Sequence, residues 1–111
     1  MPDMEISPEE LDEWMKQPGP RPFRLIDVRE EDEFAICHLD QAELIPLSGF
    51  AGQSQQRFKD HNETVVIYCH HGMRSSHAAN YLRSTGCKKV YNLTGGIDVW
   101  AERIDLEMRR Y

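Results

Sequence analysis

The stretch VVIYCHHGMRSSHAANYL, Val65 to Leu82, joins an apolar run to a polar loop and then to a helical pattern. Thr64 to Cys69 (TVVIYC) is β-branched and apolar at consecutive positions, which suits a strand of a parallel sheet covered on both faces. Ser75 to Gly86 (SSHAANYLRSTG) has the spacing of an amphipathic helix, with a glycine as its C-terminal stop. A cysteine therefore stands where the strand ends. A thiol used only for packing belongs inside an apolar run. This one stands at the exit, followed by two histidines, a glycine and an arginine.

The same alternation extends in both directions. Ser7 to Met15 (SPEELDEWM) predicts a helix, with Ser7 as N-cap, Glu10 three residues on, and Pro8 at the first helical position. Phe23 to Val28 (FRLIDV) predicts a buried strand. The segment REEDEFAI predicts a short helix with Phe34 turned inward, and Ala42 to Leu47 (AELIPL) a brief strand. SGFAGQSQQRFKDH predicts a helix, KVYNL a strand and IDVWAERI a last helix. Strands alternating with helices imply right-handed crossovers and a mainly parallel sheet, an α/β fold. Ligands of such sheets collect beyond the carboxyl ends of the strands, where Cys69 lies.

Bulk properties narrow the function. The 111 residues suit one domain with a modest core. Nineteen acidic against 13 basic side chains give a net charge of −6, which argues against a nucleic-acid partner. The opening MPDMEISPEELDEW lacks the basic and apolar regions of a secretory leader, and no apolar run is long enough for a membrane partner. Three irregularly spaced cysteines do not form a disulfide framework. The expectation is a cytoplasmic protein with at least one free thiol.

A helix starting near Ser75 presents unpaired amides and the positive end of its dipole. A tight loop turning into it can aim several N–H groups at one centre, and Gly72 supplies the backbone freedom for that turn. Amides so directed favour a thiolate, the nucleophilic form of cysteine, and can hold an anionic product on its sulfur. Arg74, with His70 and His71, adds positive character at the mouth.

The chain resembles the single-domain rhodaneses, the sulfurtransferases that carry sulfane sulfur as a cysteine persulfide. The resemblance runs from ISPEEL through LIDVRE, EFAICHLDQAELIPL and VIYCHHGMRSSHAANYL to VYNLTGGIDVWA. CHHGMRS fits the family's C-x-x-G-x-R-S loop, and GGI-x-x-W its C-terminal signature. The resemblance implies a rhodanese-like domain over residues 1–111, with about five parallel strands and helices on both faces. It makes Cys69 the persulfide-forming nucleophile. The amides of His70, His71, Gly72, Met73 and Arg74 would form the substrate cradle, and Arg74 would attract an anionic donor. Asp27 and Arg29, matching the family's D-x-R, would brace the site together with Ser75. The implied donors are thiosulfate, another small sulfur compound or a protein persulfide, and the implied acceptors are cyanide or a thiol. No metal or organic cofactor is implied. Two departures stand out: the family's G-H-I-x-G-A appears as CHLDQA, so Cys37 and Gln41 replace two frequent glycines.

Other readings exist. Dual-specificity phosphatases of this fold place five residues between thiol and arginine, whereas four separate Cys69 from Arg74; the smaller turn suits a sulfur better than a phosphoryl group. A non-catalytic binding module is the alternative for domains that have lost the cysteine. His70 and His71 lack a correctly spaced third metal ligand and read as pocket rim. Arg74 as a purely structural ion-pair partner stays open beside its binding role. Gly95 and Gly96 read as turn glycines, Trp100 as a core anchor, and Lys88 with Lys89 as a solvated turn. Cys37 and Cys87 read as ordinary small side chains.

Overall fold

The computed structural model describes residues 4–111. The leader-free reading of residues 1–3 lies outside them. Five helices and five strands alternate: β1 (Glu5–Ile6), α1 (Pro8–Met15), β2 (Arg24–Asp27), α2 (Glu31–Ile36), β3 (Glu43–Leu44), α3 (Leu47–Arg57), β4 (Thr64–Tyr68), α4 (Met73–Ser84), β5 (Lys89–Leu93) and α5 (Gly96–Arg103). All strand pairs are parallel, in the order β1-β5-β4-β2-β3. The α/β class and the helix-covered parallel sheet expected from the sequence are what the chain adopts.

Side-chain parity along β4 divides the core. Val65, Ile67 and Cys69 join Phe50 and Phe58 beside α3 and Ala78, Ala79 and Leu82 of α4. Val66 and Tyr68 join Leu11 of α1 and Ile97 and Trp100 of α5 on the other side. With period-two alternation, a buried strand must be apolar at every position, as TVVIY is. The same parity carries the next residue, Cys69, onto the α4 side.

Strand order creates the crevice. The connection leaving β2 runs toward β3, and the one leaving β4 runs the opposite way toward β5, yet β2 and β4 are neighbours. Their loops diverge at the carboxyl edge and open a gap at this switch point.

Local chemistry set most boundaries. Ser7 caps α1 with a reciprocal box: its hydroxyl accepts from the Glu10 amide (3.1 Å), and Glu10 accepts from the Ser7 amide (3.0 Å). Two expectations need correction, and one strand is new. The two-residue β1 has too little sequence for any periodic signal and forms because β5 pairs with it. Helix α4 begins at Met73, two residues before Ser75, because Gly72 at φ 106° turns the chain into the helix immediately. Phe34 is not turned into the core; α2 has no buried residue, and Phe34 stacks on the exposed His38 with ring centroids 3.9 Å apart.

The two glycine replacements behave differently. Cys37 is extended (φ −164°), which any residue adopts. Gln41 sits at φ 62°, in the left-handed region where a side chain is strained by about 1 kcal/mol. Gln41→Gly is therefore expected to leave the fold intact and stabilise it by up to about 1 kcal/mol, read as a rise in the urea midpoint; a fall would show that the Gln41 side chain contributes more than its backbone costs.

Candidate active site

Cys69 is the first residue past β4 and is 1% exposed. It is not sealed in hydrocarbon. Its Sγ accepts from the Gly72 amide at 3.1 Å and the Ser75 amide at 3.4 Å, and the Ser75 hydroxyl lies 3.4 Å away. Gly72 is the N-cap of α4 and has no side chain to satisfy the helix's first amides. The sulfur, brought round by the loop, takes the place of a capping oxygen and meets the positive end of the helix.

This differs from a cradle of five consecutive amides around the sulfur. Of the five expected donors, Gly72 alone bonds to Sγ, and the second amide comes from Ser75. The reason is the early start of α4: Met73 and Arg74 already belong to its first turn, and the amide three positions past the cap is the one that returns to a capping acceptor. Ser75 is completely buried and so does more than brace the loop. Its hydroxyl has a single proton and lies 2.5 Å from Asn92 Oδ1, the shorter of its two contacts. Asn92, on β5, also donates to the Gly72 carbonyl (3.3 Å) and to the Glu5 carboxylate (3.2 Å). Sequence reading missed Asn92; its signal is a polar residue on a strand otherwise fit for burial.

A second missed element lies behind the loop. The first amides of α5 bond backwards to it: Ile97 N–H to the Cys69 carbonyl (2.9 Å) and Asp98 N–H to the His70 carbonyl (3.0 Å). A trans peptide points its N–H opposite its carbonyl, so the amides of His70 and His71 face away from α5. The approach is close enough that a Cβ on Gly96 would stand 2.4 Å from the His70 carbonyl oxygen and 2.5 Å from that of Cys69. Gly96 is more than a turn residue: its missing side chain lets α5 hold the loop.

Across the crevice, Asp27 and Arg29 are both fully buried and paired, with Arg29 Nη2 donating to Asp27 Oδ2 at 2.7 Å. The Arg29 amide and Nε both donate to Asp27 Oδ1 (2.9 and 3.0 Å). The remaining guanidinium protons reach the Cys37 carbonyl (2.5 Å), the Tyr111 hydroxyl (2.7 Å) and the Glu33 carbonyl (3.3 Å). A buried charge pair persists when its polar atoms are satisfied in this way. It clamps the start and end of the segment that carries α2.

Arg74, projecting from α4, makes a two-pronged ion pair with Glu33 of α2: Nη1 to Oε1 at 2.7 Å and Nη2 to Oε2 at 2.9 Å. The Arg74 guanidinium holds the Glu33 carboxyl well below the usual range, at about 2. His70 stacks on Tyr111, with centroids 4.0 Å apart, and its Nε2 lies 3.9 Å from Asp98 Oδ1. Burial, reinforced by His71, lowers its pKa and favours the neutral ring. His71 and Met73 are exposed at the mouth. Among the described residues, no three His, Cys, Asp or Glu side chains group as a metal site.

A family model described as "Rhodanese-like domain" matches residues 7–103. The chain belongs to the rhodanese-like domain family. It is 37% identical over 112 residues to the probable adenylyltransferase/sulfurtransferase MoeZ of Mycobacterium tuberculosis, covering 96% of this chain and 26% of that one. To the thiosulfate sulfurtransferase GlpE of Coxiella burnetii it is 34% identical over 80 residues, 72% of this chain and 73% of the relative. Among solved structures, the human single-domain sulfurtransferase TSTD1 superposes with a TM-score of 0.80 at 25% identity, covering 90% of this chain and 96% of that one. The chain thus spans about a quarter of the length of the first relatives and nearly all of the human domain.

Two outcomes are expected from the site's construction. Gly96→Ala should cost about 3 kcal/mol of stability, measured by denaturant unfolding, because the new methyl group meets carbonyl oxygens that cannot retreat without breaking their bonds to α5. Glu33 should also shape the acid limb of stability. Its folded pKa is lowered from 4.5 to about 2, so its contribution is complete above 4.5 and is lost as pH falls toward 2. The melting temperature of Glu33→Gln should change less with pH across that window than that of the native protein.

Proposed function

We propose that the chain is a sulfurtransferase that carries sulfane sulfur as a persulfide on Cys69. It would take the sulfur from thiosulfate or a persulfide donor and pass it to a thiol or to cyanide. The observation that carries this reading is the convergence of the Gly72 and Ser75 amides on Cys69 Sγ at the carboxyl end of β4. Family membership supports it. The proposal takes residues 1–111 as one sulfurtransfer domain.

The chemistry is a double displacement. Cys69 thiolate attacks the outer sulfur of thiosulfate; a new S–S bond forms, the old one breaks, and its electron pair leaves with sulfite. An acceptor thiolate or cyanide then attacks the outer sulfur of the Cys69 persulfide. A new persulfide or thiocyanate departs, and the Cys69 thiolate returns. No external oxidant or reductant is needed. The Gly72 and Ser75 amides stabilise negative charge on the inner sulfur at both ends of the cycle. The amides of His70 and His71, turned away from α5, are donors for the outer sulfur. Arg74 stands at the mouth in its two-pronged ion pair with Glu33. Asp27 and Arg29 keep the opposing wall in place and do not react.

Thiosulfate treatment should add one sulfur to the intact mass, mapped to Cys69 and removed by a reducing agent. Cys69→Ser should abolish both this adduct and thiocyanate production from cyanide. Turnover retained by the serine variant, or efficient phosphate-monoester hydrolysis with no sulfur adduct, would overturn the assignment.

A further inference from the structure

The carboxylate of Glu33 is the most heavily coordinated group at the mouth. Oε1 accepts from Arg74 Nη1 (2.7 Å) and the Glu30 amide (3.0 Å). Oε2 accepts from Arg74 Nη2 (2.9 Å) and the Tyr111 hydroxyl (2.9 Å). Tyr111 is itself anchored by Arg29 Nη1 (2.7 Å) and by its stack on His70. These bonds fix the carboxylate from α2, from the C-terminal segment and from α4 together. The pair spans the gap between the loops after β2 and β4, with side chains 17% and 37% exposed for Glu33 and Arg74.

Two other cations near the loop are also paired, while Arg109 lines the crevice beside His70 and Tyr111. Arg29 pairs with Asp27 inside the fold, and Arg110 pairs with Asp98 (2.9 Å), which also faces His70 and His71. His70 favours its neutral form. Arg29, Arg74 and Arg110 each spend their charge on a carboxylate, so backbone amides carry a large share of the attraction for anions at Cys69. Beside them stand exposed apolar surfaces: Met73 at 74% and Tyr111 at 41%.

We propose that Glu33 is a specificity-determining residue: by holding Arg74 in a closed ion pair across the crevice, it removes the advantage of a dianionic sulfur donor and favours donors whose sulfane sulfur is carried on a thiol. The inference rests on the sulfurtransfer reading above. Discrimination is a difference between two affinities, so cancelling a charge at the mouth matters most for the donor with the greater charge. A persulfide carries at most one charge on its sulfurs and brings an organic body that Met73 and Tyr111 can contact. The transfer stays balanced: Cys69 thiolate attacks the outer sulfur of RS–SH, the RS–S bond breaks, RS⁻ leaves, and Cys69 holds the S–SH group.

The test compares two donors that deliver the same atom and differ by one charge, thiosulfate and methanethiosulfonate. Loading of Cys69 is followed by quenched intact mass in the native protein, Glu33→Gln, and the double variant Glu33→Gln/Arg74→Met. The ratio of kcat/KM for thiosulfate to that for methanethiosulfonate should rise about fivefold in Glu33→Gln. The change should lie in KM, and the double variant should lose it. An unchanged ratio in a folded Glu33→Gln, or a rise that survives loss of Arg74, overturns the proposal. The native protein provides a check independent of any variant. Between about 0.01 M and about 0.15 M salt, the same ratio should fall by less than about twofold, since the arginine at the mouth is already paired with Glu33. A steeper fall overturns the filter. Failure of both donors to load Cys69 in every form refutes sulfurtransfer itself; equal loading by both donors in native and variant proteins removes only the role of Glu33.

Discussion

Two carbonyls turned the right way underlie the site. The first amides of α5 bind the Cys69 and His70 carbonyls from behind, and that contact determines which way the following peptide units face. With those oxygens tied to α5, the loop can offer its N–H groups forward and lead into Gly72 at φ 106°, from which α4 begins. The Cys69 sulfur is then set as the cap of one helix while its backbone is held by another. Neither helix alone could do this. The sheet brings them together, because β4 lies next to β5 and α5 follows β5 directly.

The polar interior follows from the same arrangement. Asp27 ends β2 and Cys69 follows β4, so the switch point between these strands gathers a carboxylate, a guanidinium and a thiol within one apolar shell. Buried charges are tolerated only when paired and hydrogen-bonded, and Arg29 meets that condition through Asp27, Cys37 and Tyr111. The Glu33–Arg74 pair repeats the device closer to solvent. One pair lies inside the wall of the crevice, and the other bridges its mouth.

Much of this was legible locally. TVVIYC suited a strand covered on both faces, with the thiol at its carboxyl end. SPEE carried its own cap. The loop CHHGMRS carried the family resemblance, and a family model matches the chain over residues 7–103. What stayed hidden has a common character. Asn92 reads as one residue of a strand and Gly96 as half of a turn, and Tyr111 carries no local signal; each acquires its role from a partner far along the chain. Tyr111 and Glu33 are 78 positions apart, and Arg74 and Glu33 are 41.

The sequence by itself determined the alternation of strands and helices, the α/β class and the place of the thiol at a strand's end, because those features follow from side-chain period, capping and turn chemistry acting over a few residues. Tertiary structure alone decided that Ser75 rather than Arg74 donates to the sulfur, that α5 grips the loop through a glycine, and that Glu33 engages the arginine. Those outcomes depend on which strands are neighbours and how their loops diverge, and short-range spacing carries no record of that.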